Sequence, residues 1–68
     1  MNNTEKLKYA YSLLRKFYKE DPNKIYLWWN TENPLLGGVK PISLIDTKMD
    51  KVLEVVKTTL RENDNKLR

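Results

Sequence analysis

The chain contains no cysteine and no histidine. Without cysteine there is no disulfide and no thiolate chemistry, and a reducing cytoplasm is the natural setting. Without histidine the commonest metal ligand and the usual general base are missing. No apolar run approaches the roughly 20 residues that span a bilayer, so no membrane partner is expected. The opening Met1-Asn2-Asn3-Thr4-Glu5 has none of the apolar character of a signal peptide. The 68 residues suffice for one domain. A domain this small buries only roughly 60% of the surface its unfolded chain exposes. Its thin core has no covalent staple, and such chains often draw stability from a partner or from self-association.

What is present is helical patterning. Leu7, Ala10, Tyr11, Leu14, Phe17 and Tyr18 recur at spacings of three and four and trace one stripe of an α-helix. Thr4 is the expected N-cap. Tyr9 and Leu13 widen the apolar surface sideways, which favours pairing with a neighbour or a second copy. A stop is expected at Glu20-Asp21-Pro22, because proline disfavours helix in the residue before it. Asp21-Pro22 then reads as a restart, with Asp as cap and Pro at the first helical position. Ile25, Trp28 and Trp29 fit a short helix from Pro22 to about Asn30. Their β-propensity offers a strand instead, but no second strand is in sight to pair with it.

Asn30 to Lys40 is a loop, punctuated by Asn33-Pro34 and by the two glycines, Gly37 and Gly38. Pro41 opens a short turn through Ile42, Leu44 and Ile45. Thr47 with Asp50 three residues later resembles a capping box. The last helix carries Met49, Val52, Leu53, Val56 and Leu60 on one face and is expected to reach Arg61, with residues 62–68 a frayed polar tail. The expected fold is all-α: a single-domain bundle of about four helical segments, two longer and two short. Its core is Leu7, Leu14, Phe17, Trp28, Leu36, Leu44, Val52, Leu53 and Val56.

The stretch from Trp28 to Ile45 resembles the signature of the toxin-binding domain of the Xre/MbcA/ParS antitoxins, approximately W-L-x-x-P-N-P-x-L-G-G-x-x-P-x-x-L-L. Trp28, Asn33, Pro34, Leu36, Gly37, Gly38, Pro41 and Leu44 stand at the matching positions. Trp29, Glu32 and Ile45 depart from it. The resemblance implies a non-enzymatic module that docks on a RES-domain toxin, a NAD-depleting protein, and hinders access to its active site. No cofactor is expected. Many members carry a helix-turn-helix ahead of this domain. Here a single helix precedes the signature, so the expectation is a standalone member or a fragment, and DNA binding by this chain alone is not expected.

Several residues admit two readings. The Asn-Pro/Gly-Gly loop is either a stiff connector or a connector that also touches the partner. Neighbours on a helix point about 100° apart. One of Trp28 and Trp29 can therefore be core and the other exposed; the resemblance implies Trp28 as the core candidate, which leaves Trp29 as the exposed anchor, unless both pack inside against Phe17 and Leu53. The expected partner-binding set is Trp29, Asn33, Pro34, Leu35, Gly37, Gly38, Pro41 and Arg61. The alternative function is a small basic nucleic-acid-binding or transcription-accessory protein. It rests on the net charge of +4 and on tyrosines able to stack on bases. Lysines on one helix are more often a solvated face. Asp46, Asp50 and Glu54 lack a His or Cys to work with. Asp46 and Asp50 read better as charges favouring a helix N-terminus.

Overall fold

The structure is a computed structural model that describes the backbone of residues 1–66 and the side chains of residues 1–62. Three α-helices and two 3₁₀ turns follow one another: α1 (Asn3–Phe17), α2 (Pro22–Asn30), a 3₁₀ turn at Pro34–Leu36, a second at Pro41–Leu44, and α3 (Met49–Lys66). The first 3₁₀ turn lies inside the expected loop and adds a fifth helical segment to the four expected. No helix among the described residues is long and apolar enough to cross a membrane.

The longest helix, α3, supplies half of the buried core. Met49, Val52, Leu53, Val55 and Val56 come from it, and Ala10, Leu14, Ile25, Trp29 and Leu36 complete the set. Three of the five are valines, whose stiff side chains lower helix propensity by about half a kcal/mol each. Burying a valine returns roughly 1.5 kcal/mol or more, so packing overrides propensity. α1 lies along α3, and both 3₁₀ turns lean on it as well. Leu7, Trp28 and Leu44 pack against this core as partly buried residues. Phe17 does not join it. The ring sits at the last residue of α1, half-buried, and meets Tyr18 edge-on at 4.8 Å.

The helix ends differ from expectation in instructive ways. The N-cap of α1 is Asn2, not Thr4: its side chain accepts a 2.8 Å bond from the Glu5 N–H. Asn3 is thereby drawn into the helix, and its side-chain amide donates to the Asp46 carbonyl at 3.3 Å. Asp21 caps α2 as expected, accepting from the N–H groups of Asn23 and Lys24. α3 starts at Met49, one residue too late for a Thr47–Asp50 capping box, and leaves Asp46 outside the helix. Asp50 stays in the first turn and pairs with Lys6, which ties the start of α3 to α1. At its other end the α3 backbone continues past Arg61 to Lys66, so the expected tail begins inside a helix. Residues 67 and 68 lie outside the described residues.

Helix α1 stops at Phe17, ahead of the expected Glu20-Asp21-Pro22. The break comes from two left-handed residues, Lys19 (φ 53°) and Glu20 (φ 65°), neither of them glycine. The Glu20 N–H donates to the Arg15 carbonyl at 2.8 Å, and the Tyr18 N–H to that of Leu14 at 2.9 Å, so orphan carbonyls of the last turn are satisfied. The Arg15 guanidinium grips the Glu20 carboxylate with two nitrogens, at 2.9 and 2.8 Å. That hydrogen bonding, together with the carboxylate's charge, raises the Arg15 pKa above its ordinary value.

A left-handed backbone costs an L-residue about 1–2 kcal/mol. Lys19→Gly is therefore expected to stabilise the chain by about 0.5–1 kcal/mol, a rise of several degrees in the melting temperature. Glu20→Gly gains less, because it also removes the Arg15 partner. Leu14→Ala is expected to cost about 2–5 kcal/mol. A chain of this size holds only about 3–10 kcal/mol in total. Thermal and urea denaturation followed by circular dichroism measures all three.

Candidate functional site

The loop between α2 and the second 3₁₀ turn is closed by one residue. Asn33 uses its side-chain oxygen, its N–H and its carbonyl together. The side chain accepts from the Leu35 N–H at 2.9 Å. The N–H donates to the Val39 carbonyl at 3.1 Å, and the carbonyl accepts from Leu36 at 2.9 Å and Gly38 at 3.0 Å. An isolated antiparallel bridge between Asn33 and Val39 results. Pro34 enters the 3₁₀ turn without an N–H to satisfy. The chain then reverses through Gly37 (φ 72°) and Gly38 (φ 81°), a pair of left-handed positions that glycine adopts without a steric penalty. Leu36 plugs the inner side of the loop into the core.

This closure aims side chains outward. Leu35 remains 47% exposed and Val39 40% exposed, on either side of the glycine pair. Next to them, Pro34, Trp28 and Leu27 line an open cleft of about 430 Å³, together with Thr59 of α3. Tyr18 also lines it, and burial pushes its phenol above the ordinary pKa. On the other side, Leu35 borders a smaller recess of about 210 Å³ with Lys51, Glu54 and Val55 of α3. The result is an apolar knuckle with a mixed polar rim.

The expected partner-binding residues divide. Pro34, Leu35, Gly37 and Gly38 stand together on the exposed knuckle. Asn33 is half-buried and spends its polar groups internally. Trp29 and Pro41 are corrections. Trp29 is only 6% exposed, and Pro41 is among the fully buried side chains. The tryptophan roles are thus reversed: Trp29 is in the core and Trp28 is the half-buried one. Their rings meet edge-on at 5.0 Å. The roll of α2 decides this, since Ile25 and Trp29, four apart, are the residues it buries. Arg61 is exposed but lies elsewhere, in a groove between α1 and α3 with Tyr9, Leu13 and Leu60. There Lys57 stands 5.6 Å over the Tyr9 ring. Val39 joins the knuckle as well, although a lone valine between glycine and lysine carries no periodic signal.

Among the described residues no three carboxylates gather closely enough to hold a metal ion. Comparison with protein-family models, with curated proteins and with solved structures returned no match.

The glycine positions have open space where a Cβ would stand, so a substitution there is strained by its backbone alone. Gly37→Ala is expected to destabilise by about 1 kcal/mol. Gly37→Asn should cost less than half of that, since Asn tolerates the left-handed region. Asn33→Ala is expected to cost about 1 kcal/mol through the lost side-chain bond. Urea midpoints at constant slope check each value.

Proposed function

We propose that this chain is a non-enzymatic protein-interaction module of the antitoxin type, whose partner is a RES-domain, NAD-depleting toxin. The observation that carries this reading is the loop that Asn33 closes: a stiff segment displaying Leu35 and Val39 to solvent. A segment already held in one conformation loses little entropy on docking. The order Trp28, Asn33-Pro34, Leu36-Gly37-Gly38, Pro41 and Leu44 supports the antitoxin class. The half-buried Trp28 in the neighbouring cleft supports it further, as tryptophan is enriched where binding energy concentrates. The binding set is Pro34, Leu35, Gly37, Gly38 and Val39, with Trp28 replacing Trp29. Asn33 acts by holding the loop. We place the module in the cytoplasm on the strength of its cysteine-free sequence.

A nucleic-acid role has less support. Three of the basic side chains are engaged internally: Lys6 with Asp50, Arg15 with Glu20, and Lys57 with Tyr9.

Co-expression with a RES-domain protein from the same operon is expected to give a stable complex and to suppress NAD depletion. Leu35→Asp and Val39→Asp should each weaken the complex at least tenfold, about 1.4 kcal/mol or more. Their melting temperatures should stay within a few degrees of the parent, because both side chains are exposed. Calorimetric titration measures the affinities. A complex indifferent to both substitutions would sink this assignment of the surface.

A further inference from the structure

A trough elsewhere on the molecule is not used by the loop surface. Leu7 and Tyr11 of α1, Trp29 of α2, and Ile42 and Ile45 from the second 3₁₀ turn and its end enclose a cleft of about 550 Å³. A second cleft of about 390 Å³ continues from it past Ile25 and Tyr26. Tyr11, Trp29 and Ile42 line both, so the two form one continuous channel open to solvent. Three of its apolar walls are wet: Tyr11 is 44% exposed, Ile42 45% and Tyr26 66%. It shares no lining residue with the cleft and the recess that flank the loop.

The one charge on the wall of this trough that no ion pair offsets is positive. Lys8 and Arg15 stand on its α1 edge, and no carboxylate lines either cleft. Glu20 holds Arg15, whereas Lys8 makes no ion pair among the described residues. We propose that the trough docks an acidic amphipathic helix from a partner protein, apolar stripe inward and carboxylates against Lys8. Length and openness favour a helix over a small molecule. Positions i to i+7 of a helix span about 10 Å and can be read by an open groove. A small ligand usually needs most of its surface enclosed. Net charge argues against a second copy of this chain, since each copy carries +4. The inference goes beyond the loop reading and gives the domain two separate docking faces.

The test is a titration of the full ¹⁵N-labelled chain with two synthetic 14-residue helical peptides. Both carry leucine at i, i+3, i+4, i+7 and i+11, one with glutamate and the other with lysine at the remaining positions. The glutamate peptide is expected to give saturable shifts centred on Tyr11, the Trp29 indole and Ile42. The lysine peptide should bind at least tenfold more weakly. Ile42→Asp should weaken the glutamate peptide about tenfold, and Lys8→Glu by about two- to fivefold at low salt. Both altered side chains are exposed, and the wild-type shift map needs no variant at all. Leu35→Asp should leave peptide binding unchanged, which separates this proposal from the fate of the loop surface. Equal binding of the two peptides, shifts centred on residues 33–39, or no saturable binding at millimolar peptide would each overturn it. So would the same residues shifting with protein concentration alone, which would assign the trough to self-association.

Discussion

Every other element of this domain leans, directly or through a neighbour, on the apolar face of α3. Five of the ten core residues lie on that one helix, and α1 and both 3₁₀ turns contact it. With so few buried residues, there is no second apolar cluster among the described residues to hold the chain if this face is spoiled. The Lys6–Asp50 pair and the Asn3–Asp46 bond add polar ties between the start of α1 and the region where α3 begins. Such exposed contacts orient more than they stabilise. Burial supplies the driving force, and the polar contacts choose the register in which it is realised.

The return from α2 to α3 is the second constraint. A small domain has to reverse its chain within few residues, and here one asparagine and two glycines do so. Asn33 gathers both ends of the loop, and the glycines adopt backbone angles that a Cβ would oppose. Because the loop satisfies its own polar groups, its apolar side chains need not all turn inward. Leu36 goes into the core while Leu35 and Val39 stay outside. The physical basis of the proposed interaction surface is therefore the same network that makes the fold compact.

The helical architecture was legible in the sequence, and so was the loop. The α1 stripe, the Asp21-Pro22 restart, the Pro41 turn and the Val-rich face of α3 all follow from periodicity and cap chemistry. What escaped depends on how elements roll and meet. Asn2 and Thr4 are both good caps, and a long-range bond from Asn3 to Asp46 accompanies the earlier one. The left-handed pair Lys19-Glu20 has no compositional sign, because glycine would be the usual residue there. The Trp28 and Trp29 faces depend on the roll of α2, which neighbouring residues on one helix cannot specify. Phe17 continues the α1 stripe, yet it stands where the helix ends. Pro41 stands in the expected partner-binding set as a position of the signature, but it is buried at the start of the second 3₁₀ turn. Within the proposed site the glycine pair and Leu35 were readable, whereas Val39 was visible only once the bridge to Asn33 placed it.

The edge-on contact of the two indoles has a consequence of its own. Trp29 forms part of the wall of the α1–α2 trough, and Trp28 part of the wall of the cleft beside the loop. The two rings meet edge-on, 5.0 Å between centroids. Indole emission follows local polarity, and these are the chain's two tryptophans. The protein thus carries an intrinsic optical probe on the wall of each hollow.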